Sequence, residues 1–136
     1  MMQYALVLKY FLVMSVLLLG TGVWMFILHT SLSVEGTLDY YAPKTFFGLL
    51  ETVSPHLFAM AVLVFVLTHF FAIIKGVEQS DYRGMTLWLF IFMLVSNVSG
   101  FFIVAESTFF ALVKLLSTLL FVLHSLWLMA KLYRLF

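Results

Sequence analysis

Residues 54–75 read SPHLFAMAVLVFVLTHFFAIIK, a run that is apolar except at its ends and at two histidines, His56 and His69. About 20 such residues, rising 1.5 Å each, cross the hydrocarbon core of a bilayer. The stretch is therefore read as a membrane-spanning helix. Ser54 followed by Pro55 reads as its start, a hydroxyl N-cap with proline at the first helical position, which places His56 in the first turn. Polar groups in lipid are costly, so an ionisable residue inside a span marks a functional position. What the two imidazoles do depends on the depths of the other two, His29 and His124.

The rest of the chain has the same character. Of its 136 residues 65% are hydrophobic and 10% charged, and the mean hydropathy of +1.17 lies far outside the range of water-soluble domains. The chain reads as one integral membrane domain, residues 1–136, with no room for a soluble catalytic module. Cysteine is absent, which excludes disulfides, thiolate metal sites, Fe–S clusters and c-type haem attachment. Histidine is what remains for ligating a cofactor. A net charge of +1 suggests no nucleic-acid partner.

Charges and breakers divide the sequence into four apolar spans at about 4–29, 55–74, 85–105 and 107–130. The fold class expected is an all-α membrane protein, four transmembrane helices in an up-down-up-down bundle. Ser107 reads as the cap of the last span. Lys75 and Arg83 flank one connection and Lys131 and Arg134 follow the fourth span, whereas the first connection carries only Lys44. The positive-inside rule then places both termini in the cytoplasm. Lys9 and Lys114 are expected to snorkel to their nearer surfaces. The first span is read as retained, because FILHTSL has no cleavage-site pattern.

On this topology His29 and His56 lie near the outer surface, and His69 and His124 each lie about 10 Å inside the cytoplasmic boundary. The four histidines sort into two pairs separated by about 20 Å along the membrane normal, the rise of thirteen residues. Haem iron takes one imidazole from each of two helices, provided small residues leave room for the macrocycle. Gly20, Gly22 and, within SNVSG at 96–100, Gly100 supply such residues. Lys75, Arg83, Lys131 and Arg134 are placed to hold the propionates of an inner haem, and Lys114 or Lys44 those of an outer one. His56 and His69 stand about 140° apart around their helix, so they must serve different neighbours. Interfacial hydration, hydrogen bonding between helices and plain small-residue packing are the alternatives for these histidines and glycines.

Four spans with histidines on the first, second and fourth resemble the integral-membrane di-haem b-type cytochromes that anchor respiratory enzymes and exchange electrons with quinone. The resemblance lies in architecture and histidine placement over the whole chain. It implies pairs of axial ligands, His29 with His56 and His69 with His124, and two haems b, one at minimum. The function implied is electron transfer between quinol and a partner redox protein or subunit in a bacterial inner membrane, by a subunit rather than a stand-alone catalyst. A homo-oligomer is compatible with this.

The first connection adds two expectations. KTFFGLLETV puts Phe46, Leu49, Leu50 and Val53 on one face, so a short amphipathic helix is expected in the interface. Glu35, Asp39, Glu51 and Glu106 gather at the same end, where with His29 and His56 they offer an alternative Zn²⁺ or Cu²⁺ site in a non-redox membrane protein.

Overall fold

A computed structural model describes residues 2–73, 79–103 and 107–135. Five helices follow one another: α1 (Met2–Thr30), α2 (Val34–Tyr41), α3 (Phe46–Ile73), α4 (Gln79–Ile103) and α5 (Thr108–Leu135). Among them α1, α3, α4 and α5 are long and apolar enough to cross a membrane. The protein is thus an all-α membrane protein with four candidate spans. Trp24, Phe58, Phe65 and Leu119 are among the large side chains left exposed on its surface, as expected where the surrounding solvent is lipid.

The helix that carries residues 54–75 starts earlier than its Ser–Pro pair suggests. Thr45 is the residue that opens α3: its Oγ1 accepts from the Gly48 N–H at 3.2 Å, and its carbonyl accepts from Leu49 N–H at 3.0 Å. The helix then runs unbroken through Pro55, which is an interior residue. The expected amphipathic helix is therefore the first part of α3 and not a separate element, and His56 lies about 15 Å along it. In lipid an unsatisfied backbone is so costly that a helix continues through a proline where surrounding groups compensate.

The short helix of the connection is instead α2, VEGTLDYY. Two consecutive left-handed residues, Ser31 (φ 51°) and Leu32 (φ 52°), end α1 and turn the chain. Ser33 then caps α2, its Oγ accepting from Gly36 N–H at 2.9 Å. The turn is tight enough that a Cβ at Gly36 would meet the Thr30 carbonyl. α4 and α5 extend past the expected limits, to Gln79 and Leu135. α5 does begin directly after Ser107, whose carbonyl accepts from Ala111 N–H at 3.2 Å.

Each span buries one seam. On α1 it is Leu8, Leu12, Ser15 and Leu19, on α4 Met85, Leu89, Met93, Ser96 and Gly100, and on α5 Ala111, Lys114, Ser117, Phe121, Ser125 and Leu128. α4 and α5 pack most closely, with the Ser96 and Thr118 hydroxyls 2.7 Å apart across the seam, the kind of small, polar contact that joins helices in lipid. α1 is held chiefly by α2 and α5.

The core divides into two parts. A large cluster toward the chain termini includes Leu8, Leu12, Leu67, Phe71, Leu89 and Phe121, and a small one of Tyr41, Leu49, Ile103 and Ala111 lies under α2. Between them the α1 seam is interrupted from Leu19 to Thr30 and the α3 seam from Val53 to Leu63. These two interruptions face one cavity.

Candidate functional site

The cavity has a volume of about 350 Å³ and lies between α1 and α3, with α4 and α5 behind it and α2 at its end. α1 lines it with Leu18, Thr21, Gly22, Met25, Phe26 and His29, and α3 with Thr52, His56, Ala59, Met60 and Leu63. Ser96 and Asn97 of α4, Lys114, Thr118 and Val122 of α5, and Tyr40 and Tyr41 of α2 complete it. Leu18, Thr21, Met25, His29 and His56 are exposed, so the cavity opens sideways along the α1–α3 edge. Its size and largely apolar lining with a few convergent polar groups are those of a small-molecule or cofactor site.

His29 and His56 line this one cavity from different helices. The His29 ring stacks on Tyr40, with centroids 4.4 Å apart and planes 15° from parallel. Tyr40 in turn meets Tyr41 edge to face at 4.9 Å, and the Lys44 ammonium sits 3.6 Å from the Tyr40 ring centre. Burial, with the neighbouring Tyr40 phenol adding to it, pushes the Tyr41 phenol well above its ordinary pKa.

Lys114 does not snorkel to a surface. It is buried, and its Nζ donates to the Ser96 carbonyl at 2.5 Å and stands 4.9 Å from the centre of the Tyr41 ring. The reason is its place on α5: it belongs to the buried seam, and Gly100 of the facing helix leaves the ammonium room. The hydroxyls of Ser96 and Thr118 and the Asn97 amide, which donates to Met93 O at 2.8 Å and to Met60 Sδ at 3.2 Å, extend the polar wall.

The other histidines lie elsewhere. His69 is exposed on the lipid-facing side of α3, stacked on Phe65 with centroids 5.8 Å apart. His124 turns toward α4, with Phe92 edge-on at 6.2 Å and Trp127 at 5.7 Å, and its Nε2 is enclosed with no hydrogen-bond partner. Neither lines the cavity. The angular offset on α3 is the cause, since a helix that turns His56 to the cavity turns His69 away from the bundle.

Of the three glycines expected to make room, Gly22 lines the cavity, Gly100 packs under Tyr41 and Lys114, and Gly20 faces open space. Lys131 lies over the rings of Phe71 (5.1 Å) and Trp127 (5.0 Å), at the end of the bundle that holds the termini. Lys75 and Glu106 fall outside the described residues. Among the described residues no three His, Asp or Glu side chains converge as a metal site.

Tyr40, Tyr41 and Thr118 did not stand out in the sequence. Lys114, a cation within an apolar run, and Ser96 and Asn97 within SNVSG were the visible signals of the polar wall. Comparison with curated proteins and with solved structures gives no match. A family model for a transmembrane helical domain, Aq_1264_TM, matches residues 32–135, from the turn before α2 to the end of α5, and the chain belongs to that family.

Proposed function

We propose that this protein is a membrane-embedded electron-transfer subunit whose α1–α3 cavity takes b-type haem, with His29 and His56 as the residues that would hold its iron. The observation that carries the reading is that two histidines from two different helices line a single apolar-walled cavity. The donor set suits a non-covalently held haem: two imidazoles for iron, apolar faces for the macrocycle, and cations at one edge for its carboxylates. When bound, such a group supplies one-electron cycling between ferric and ferrous iron.

The chain's own residues do the rest. Tyr40 fixes the plane of the His29 ring, Gly22 and Ala59 leave space along the walls, and Met25, Phe26, Met60 and Leu63 exclude water. Lys44 and Lys114 place positive charge at the α2 end. The sideways opening faces the hydrocarbon layer in which quinol dissolves, which supports quinol as electron donor and a second redox protein as acceptor. Arg83, Lys131 and Arg134 lie at the other end of the bundle, which supports cytoplasmic termini in a bacterial inner membrane. One haem per chain is the count that the arrangement favours.

The test is a dithionite-reduced minus air-oxidised spectrum of the detergent-purified protein, with a pyridine haemochrome assay for stoichiometry. One b-type haem per chain is expected, lost in His29→Ala and His56→Ala and kept in His69→Ala and His124→Ala. A flat spectrum from protein made in haem-replete cells would overturn the reading. A band that survives loss of both His29 and His56 would remove them as ligands.

A further inference from the structure

The back wall of the cavity holds a cation that, among the described residues, has no opposite charge beside it. Lys114 retains 6% of its surface and lines the cavity. Its ammonium touches a backbone carbonyl and an aromatic face, Ser96 O and the Tyr41 ring. Among the described residues no ion pair is formed by it, and the other cation of this end, Lys44, is also seated on tyrosine rings. An ammonium carries three donors, and the Ser96 carbonyl takes one of them. In surroundings of low dielectric, a charge so placed needs an anion and further acceptors.

We propose that the cavity binds an apolar ligand that carries a carboxylate, and that Lys114 is the residue that pairs with it. A single buried ammonium balances one negative charge, which fits a carboxylate better than a phosphate dianion. The hydroxyls of Ser96 and Thr118, 2.7 Å apart on the same wall, are neighbouring polar groups for the second carboxylate oxygen. The ligand's apolar body reaches this wall through the opening between α1 and α3, past Thr21 and Met25. Where the carboxylate is a haem propionate, the inference rests on the haem reading. Where it is the headgroup of a free long-chain fatty acid, it stands without it.

The experiment uses the full chain in detergent, as wild type, Lys114→Met and Lys114→Arg. One arm titrates haem-depleted protein with protohaem and with protohaem dimethyl ester, read by absorbance. The other titrates it with dansylaminoundecanoic acid and with its methyl ester, read by fluorescence. In at least one arm, wild type is expected to bind the acid about tenfold or more tighter than the ester. Lys114→Met is expected to erase that preference and Lys114→Arg to keep it.

A preference in the haem arm identifies the propionate. A preference in the fatty-acid arm alone, with no haem bound, upholds the carboxylate site while the haem reading fails. Haem bound equally by wild type and Lys114→Met, as acid and as ester, with no preference in the other arm, overturns the inference and leaves the haem reading standing. No binding in either arm overturns it as well. If Lys114→Met does not yield folded protein, the comparison of acid with ester on wild type still decides.

Discussion

His29 lies flat against Tyr40, its ring 4.4 Å away and 15° from parallel, so the last turn of α1 is tied to α2 through the face of an imidazole. A stack engages the ring face and leaves the nitrogens on the edge, which holds the plane of a ligand without occupying its lone pair. Such pairs are worth about 1 kcal/mol beyond area burial, so on the proposed haem reading Tyr40→Ala should weaken haem retention about fivefold. Tyr40→Phe should retain it. Haem transfer to an excess of a stronger acceptor protein measures both, and equal rates for Ala and wild type would show that the stack does not position His29.

The hydroxyl pair of Ser96 and Thr118 closes the α4–α5 seam beside the cavity. Hydrogen bonds of this kind between membrane helices average about 0.6 kcal/mol, because the alternatives in the bilayer also find partners. A double-mutant cycle with Ser96→Ala and Thr118→Ala, read by reversible unfolding in mixed micelles, should give a coupling of that size. A coupling indistinguishable from zero would mean that the helices pack on shape alone.

Gly36 and Gly20 make a matched pair for stability. A methyl group at Gly36 runs into the Thr30 carbonyl, while one at Gly20 meets nothing within 4 Å. Gly36→Ala should therefore cost about 1–3 kcal/mol and lower the melting temperature, whereas Gly20→Ala should leave it unchanged or slightly raised. Thermal unfolding followed by circular dichroism distinguishes them, and equal melting temperatures would contradict the tight α1–α2 turn.

Tyr41 predicts an alkaline limb in stability. Its folded-state pKa is raised by burial, so the folded protein holds the phenol proton to higher pH than the unfolded chain does. The contribution is fully present below pH about 10, the ordinary phenol value, and declines as pH rises beyond it. Tyr41→Phe keeps the ring and should flatten that decline. Denaturant midpoints from pH 7 to 11 test it, and parallel curves for the two proteins would refute the assignment.

The four spans were legible because hydrophobic length in a bilayer is read directly from composition. Boundaries were less so. The Ser54–Pro55 pair has the local chemistry of a helix start, yet the Thr45 cap upstream had already begun α3, and a lipid-embedded backbone continues where a soluble one would stop. α2 was hidden because its eight residues include Gly36 and the polar Glu35, Thr37 and Asp39, and Ser33 gains meaning only once Thr30 and Gly36 are seen to meet.

At the site, His29 and His56, expected at matching depth, line one cavity. Depth says nothing of rotation about each helix axis, which leaves His69 stacked on Phe65 at the surface of α3 and His124 beside Phe92. Lys114 illustrates the same lesson. Its position in an apolar run was plain, but a lysine goes outward or inward according to the room left by Gly100 on another helix.

The walls of the cavity come from every part of the chain, from Leu18 near the start to Val122 near the end. A nascent chain inserting helix by helix cannot have this site while α5 is still in the ribosome, since Lys114 and Thr118 are absent until then. A ligand of this cavity would therefore enter after insertion, and among the described residues the cavity opens sideways between α1 and α3. A maturation factor, if one acts, must meet this protein within the bilayer and at the edge where α1 and α3 part.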